Sequence, residues 1–103
     1  MSKKANQDIK QLRAIGHKLK PVVTIAGKGL SEGVVAELDR ALTDHELIKV
    51  KLSVGSREAR AEVTQQITRQ LKAKLVQSVG SVILLLRSAP TPDPRLSNLI
   101  KPV

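Results

Sequence analysis

Residues 75–86 read Leu75-Val76-Gln77-Ser78-Val79-Gly80-Ser81-Val82-Ile83-Leu84-Leu85-Leu86, and this stretch decides the fold class. Two runs of strand length are parted by Gly80-Ser81, a two-residue connection of the Gly-X kind that closes a hairpin. The second run has no polar position, so both of its faces need cover, which is the pattern of a central strand. A hairpin with an interior second strand needs further strands beside it, and the upstream sequence supplies them.

Leu47 to Val54 alternates, with Ile48, Val50 and Leu52 on one face and Lys49 and Lys51 on the other; Gly55 ends it. Between that strand and the hairpin, Ser56 offers an N-cap hydroxyl. Ala59, Val63, Ile67 and Leu71 then recur every four residues as one helical stripe. Further upstream, Ser31 caps another helix and Glu32 complements its dipole. Val34, Val35, Leu38 and Leu42 form its stripe, and it should end near His45. Val22-Val23-Thr24-Ile25 is a short β-branched strand. Before it, Ile9, Leu12, Ile15 and Leu19 mark a first helix, with Lys10, Arg13 and Lys18 turned to water and Gly16 and Pro21 marking its end.

The order is α-β-α-β-α-β-β. We expect an α/β, two-layer domain with a four-stranded mixed sheet, helices mainly on one face, right-handed crossovers and an antiparallel last strand. After Arg87 the periodicity stops, and Pro90, Pro92 and Pro94 fall within five residues. Residues 1–88 are therefore read as one domain and 89–103 as a Pro-rich extended or disordered tail, with Leu96, Leu99 and Ile100 as docking candidates outside any helix.

Composition narrows the function. The 103 residues, 41% of them hydrophobic, suffice for one core. With no Cys there is neither a disulfide framework nor a thiolate metal site. His17 and His45 lie far apart without H-x-x-x-H spacing, so no zinc site is expected. No apolar run approaches the ~20 residues of a membrane span, and Met1–Lys10 lacks the apolar region of a secretory signal. A soluble, cytoplasmic, monomeric protein is expected, without membrane contact, cofactor or small-molecule substrate. No nucleophile, base and orienter come together and no G-x-S-x-G elbow occurs, so no enzyme is expected.

The net charge is +9, from 18 Lys and Arg against 9 Asp and Glu. Residues 1–30 carry seven bases and one acid, residues 31–66 five and seven, and residues 67–103 six and one. Clustered cations favour a polyanion, because binding one releases condensed counterions. The absence of Phe, Tyr and Trp excludes the aromatic base-stacking platforms of RRM, OB-fold and cold-shock domains. Nucleic acid would have to be held through phosphates, backbone amides and shape.

The loop Ala26-Gly27-Lys28-Gly29-Leu30-Ser31 joins a strand to a helix N-terminus, where free N–H groups and the helix dipole attract anions. Its glycines allow close backbone approach and Lys28 adds a full charge, though a plain strand–helix turn would use the same residues. It is no Walker A loop, since Val22 stands where the first glycine belongs. Lys49 and Lys51 fit a binding surface or ordinary alternation on a half-solvated sheet. Arg57 and Arg60 oppose their own helix dipole, with Glu58 and Glu62 nearby to offset them. His17 stands among Lys18 and Lys20, within reach of a phosphate.

Leu12-Arg13-Ala14-Ile15-Gly16-His17-Lys18-Leu19-Lys20-Pro21-Val22-Val23, Gly29-Leu30-Ser31-Glu32-Gly33-Val34 and His45-Glu46-Leu47-Ile48-Lys49-Val50-Lys51 together resemble the CRM domain (chloroplast RNA splicing and ribosome maturation) in its stand-alone bacterial YhbY-like form. The resemblance covers roughly residues 9–88. It implies an RNA-binding protein associated with ribosomal RNA of large-subunit precursors, plant relatives assisting group II intron splicing. The implied fold is similar to the C-terminal domain of translation initiation factor three, with the last strand inside the sheet. It also implies a G-x-x-G loop like that of KH domains, whose first glycine is Ala26 here.

The expected RNA-binding residues are Arg13, His17, Lys18, Lys20, Ala26, Gly27, Lys28, Gly29, Ser31, Lys49, Lys51 and Arg57. Low sequence specificity is expected, since phosphate contacts do not read bases. An architectural DNA-binding protein and a ribosome-associated protein-interaction module are the alternatives.

Overall fold

The computed structural model describes residues 9–27 and 29–99; Lys28 and Ile100, both named above, lie outside the described residues. The elements are α1 (Ile9–Lys18), β1 (Pro21–Ile25), α2 (Glu32–His45), β2 (Leu47–Leu52), α3 (Arg57–Leu71), β3 (Lys74–Val79) and β4 (Val82–Leu86). They form one four-stranded mixed sheet in the order β1-β2-β4-β3. β1 and β2 are parallel, and β4 is antiparallel to both β2 and β3. β4 thus lies inside the sheet, as its two apolar faces require. The hairpin turns at Gly80 with φ 58°, the left-handed value that makes glycine useful there.

One face of the sheet carries the larger core. Val23, Ile25, Ile48, Val50, Leu52, Ile83 and Leu85 pack beneath Leu38 and Leu42 of α2 and Val63, Ile67 and Leu71 of α3. Arg87, just past β4, ties this layer together. Its guanidinium donates to Asp39 Oδ1 (2.8 Å), to Thr43 Oγ1 (2.9 Å) and to the carbonyl oxygens of Asp39 and Leu71.

The expected two-layer arrangement holds for α2 and α3, while α1 crosses the opposite face and adds a partial third layer. Leu12 of α1 joins Leu47, Val76 and Leu84 in a second cluster, flanked by Ile15, Leu19, Leu86 and Leu99. The cause is in β4, whose Leu84 and Leu86 point away from the main core and need their own cover. Gly16 makes that approach possible, because a Cβ there would stand 2.5 Å from Leu84 Cδ2. Gly16→Val should therefore cost about 1–3 kcal/mol by overpacking, read as a lower denaturant midpoint.

Two irregularities shape this second face. β1 shifts register between Pro21 and Val23 along its edge. β3 shifts between Leu75 and Gln77, so that Val76 is an extra residue opposite β4. Leu75 pairs with Leu85 on the α3 side, yet Gln77 pairs with Leu84 and Val79 with Val82 on the α1 side. Without the bulge, strict alternation would send Gln77 and Val79 toward α3.

The described part of the tail has neither helix nor strand, yet it is anchored. Glu46, the C-cap of α2, is fully buried at φ 62°. Its carboxylate accepts from the Ala89 N–H (2.7 Å) and from the hydroxyl of buried Ser97 (2.6 Å). His45 Nδ1 donates to the Leu96 carbonyl, and Asn98 donates to the carbonyls of His45 and Leu47. Leu99 thereby reaches the second cluster, whereas Leu96 stays exposed. No helix among the described residues is long and apolar enough to cross a membrane.

Candidate nucleic-acid interface

The parallel pairing of β1 with β2 brings the loops that follow them to the same end of the sheet. The Ser53 N–H donates to the Ile25 carbonyl (2.7 Å), and the Leu52 N–H to the carbonyl of Ser81 in the hairpin turn. The loop 26–31, the residues leading into α3 and the β3–β4 turn therefore share this edge. The Gly29 N–H donates to the Ala26 carbonyl (2.9 Å), closing a tight turn. Within that loop the described residue with positive φ is Gly29, at 77°. Ala26 has an ordinary backbone conformation, so the missing first glycine of the G-x-x-G pattern costs no strain. Ser31 caps α2, its hydroxyl accepting from the Val34 N–H (3.2 Å). The N–H groups of the residues before Val34 have no carbonyl partner within the helix and point beyond its end. Ala26, Gly27 and Ser31 are exposed, and Gly29 is half-buried.

The remaining cations fall into two groups. His17 and Lys49 line one groove with Gly16, Pro21 and Gln77 on the α1 side of the sheet. Lys51 follows two residues along β2, beside Thr24 of β1, and Thr24 leads into the loop 26–31. A path thus runs from the end of α1 over Lys49 and Lys51 to the loop. Arg13, Lys18 and Lys20 are exposed on α1 and the turn after it. Lys20 sits at the opposite end of β1 from the loop, roughly 16 Å away along five strand residues, so it does not flank the loop directly. Arg57 lies at the loop end of the sheet but opens onto the α3 side, where it lines a separate groove with Arg60, Leu75 and Ser78. The sequence-based selection left out Arg60, although its spacing of three from Arg57 places both on one face of the first helical turn. It also left out Gln77, whose orientation depends on the bulge.

Charge is segregated between the two faces. Among the described residues, the acids are Glu32, Glu37, Asp39 and Asp44 of α2, Glu46 at its end, Glu58 and Glu62 of α3, and Asp93 of the tail. α1 and all four strands carry none. Glu32, the acid next to the loop, lines a groove between α2 and α3 with Asp39 and Gln70, away from the α1 side. Asp39, Asp44 and Asp93 pair with Arg87, Arg40 and Arg95. Arg13, His17, Lys18, Lys20, Lys49, Lys51 and Arg57 form no ion pair among the described residues. Arg13, His17, Lys18, Lys20, Lys49 and Lys51 thus give the α1 side a cationic surface with no acidic partner for these side chains among the described residues. No group of three His, Asp or Glu side chains suited to a metal ion occurs among the described residues.

The chain is an α/β protein with a mixed four-stranded sheet, whose α1 and strands carry bases and no acid. The CRS1 / YhbY (CRM) domain matches residues 5–87, and the chain belongs to that family. A probable RNA-binding protein of Pseudomonas aeruginosa is 50% identical over 90 residues, covering 87% of this chain and 86% of the relative. An RNA-binding protein of Haemophilus influenzae is 45% identical over 76 residues, covering 74% and 77%. The solution structure of a hypothetical protein from Staphylococcus aureus, proposed to bind RNA, has a TM-score of 0.71 at 26% identity and covers 81% of this chain and 86% of its own.

Proposed function

We propose that this protein binds RNA, specifically ribosomal RNA of large-subunit precursors, and assists ribosome assembly as a cytoplasmic, non-enzymatic monomer. The observation that carries the RNA reading is that Lys49, Lys51 and His17 have no acidic partner among the described residues and stand on an acid-free helix and sheet leading to a glycine loop. The names of the relatives support the same reading, and the family resemblance supports its ribosomal part. In this reading, phosphates lie against the loop 26–31, including Lys28, and along Lys49 and Lys51. His17, Arg13, Lys18 and Lys20 extend the contact over α1, and Arg57 extends it at the loop end. The domain, residues 1–88, carries the binding surface, and the tail 89–103 is accessory to it.

Filter binding to structured ribosomal RNA tests the proposal. The logarithm of affinity should fall linearly with the logarithm of salt, by roughly 0.7–0.9 per phosphate contact and by several units in total. Lys28→Glu should weaken binding about tenfold and reduce the slope by about one. An unchanged affinity and slope would make the loop a structural turn only. Equal competition by duplex DNA would favour an architectural DNA-binding protein. Co-sedimentation with ribosomal particles that survives both ribonuclease and high salt would favour a protein-interaction module.

A further inference from the structure

The sheet surface left open by α1 is more than a charged plane. Its strand register lays out two rows across the strands. One runs Pro21, Lys49, Leu84, Gln77, and the next runs Thr24, Lys51, Val82, Val79. Gly16 and His17 overhang the first row, closing a groove of about 390 Å³ with an apolar floor. Val79 is 62% exposed there, and Val82 is half-buried. Lys49 and Gln77 stand on opposite rims, two strands apart and so roughly 10 Å across. The Gln77 amide has no hydrogen-bond partner among the described residues. Gln77 and Val79 face this groove because of the bulge at Val76, and bulges that re-aim a side chain cluster next to functional sites.

We propose that this groove holds one unstacked nucleobase of single-stranded RNA, with the Gln77 amide reading its edge; this rests on the RNA-binding reading above. The exposed apolar surface of Val79 and Val82 covers one face of the base, a role that aromatic rings play elsewhere and that this chain has no aromatic residue to fill. An amide presents one acceptor and a pair of donors, which suits the paired polar groups of a base edge. Lys49 and His17 meet the flanking phosphates, and no acid on α1 or the strands opposes them. The groove thus adds base preference to a surface whose other contacts are indifferent to sequence.

A nine-nucleotide ribose–phosphate strand without bases, and four versions each carrying one central base, separate the two readings. The expected result is that the abasic strand binds with a clear salt slope, that one central base raises affinity at least fivefold, and that the four bases differ. Gln77→Leu, with its fold checked by circular dichroism, should level the four bases while leaving the abasic strand bound as before. Gln77→Glu, which replaces the donors of the amide by acceptors, should change the order of preference. If the abasic strand binds but a central base adds nothing, or if Gln77→Leu leaves the preference intact, the groove reads no base and only the phosphate reading stands. If neither the abasic strand nor structured RNA binds, the RNA reading fails and this inference fails with it.

Discussion

Lys49→Glu combined with Lys51→Glu is expected to weaken binding to structured ribosomal RNA by roughly 25- to 60-fold at 0.1 M salt. Each phosphate contact changes the logarithm of affinity by about 0.7–0.9 per decade of salt, so one contact is worth roughly five- to eightfold between 1 M and 0.1 M. Two lost contacts multiply, and the new carboxylates add repulsion on a face that holds no acid of its own among the described residues. The salt slope should fall by about 1.4–1.8. Folding should be little affected, because both side chains point to the open side of β2 while Ile48, Val50 and Leu52 fill the core behind them. Thermal unfolding of the double variant checks this. Normal binding by a folded double variant would remove the sheet face from the interface and leave the loop 26–31 to account for any affinity.

The second large effect is on stability. Glu46→Ala should lower the unfolding free energy by about 3 kcal/mol, a substantial part of the 5–15 kcal/mol typical of a domain. The substitution leaves the half-buried Ala89 N–H and the buried Ser97 hydroxyl without their acceptor, at about 1–3 kcal/mol for the buried hydroxyl and less for the N–H. It also keeps the positive φ, so it relieves no strain. Glu46→Gly should recover about 1 kcal/mol relative to alanine, since glycine adopts that backbone freely. Urea denaturation gives the magnitudes. Limited proteolysis gives the location, because a released tail should be cut between residues 88 and 99 before the domain. Equal stability of the alanine variant would show that the carboxylate anchors nothing.

Much of the fold was legible in the residues because its signals are local. Ser31 and Ser56 cap their helices through their own hydroxyls, and Gly80 turns the hairpin through its own φ. The two apolar faces of Val82–Leu86 placed that strand inside the sheet. The candidate loop was legible for the same reason, since Gly29 supplies the positive φ that the turn needs. Other features have no local signature. The side taken by α1 depends on Gly16 meeting Leu84, 68 positions later in the chain. The burial of Glu46 has no local signal either, because Ala89 and Ser97 meet it only after the chain has folded back.

The sequence alone determined the order of the elements, the interior strand, the loop with its helix cap and the surplus of positive charge. Periodicity, caps, turn residues and charge are carried by neighbours in the chain. Tertiary structure alone decided that His17 joins Lys49 on one side of the sheet, where the tail is held, and that Gln77 and Val79 look toward α1. These depend on strand register, where one extra residue at Val76 reverses the facing of the residues after it, a choice made by β3 and β4 together.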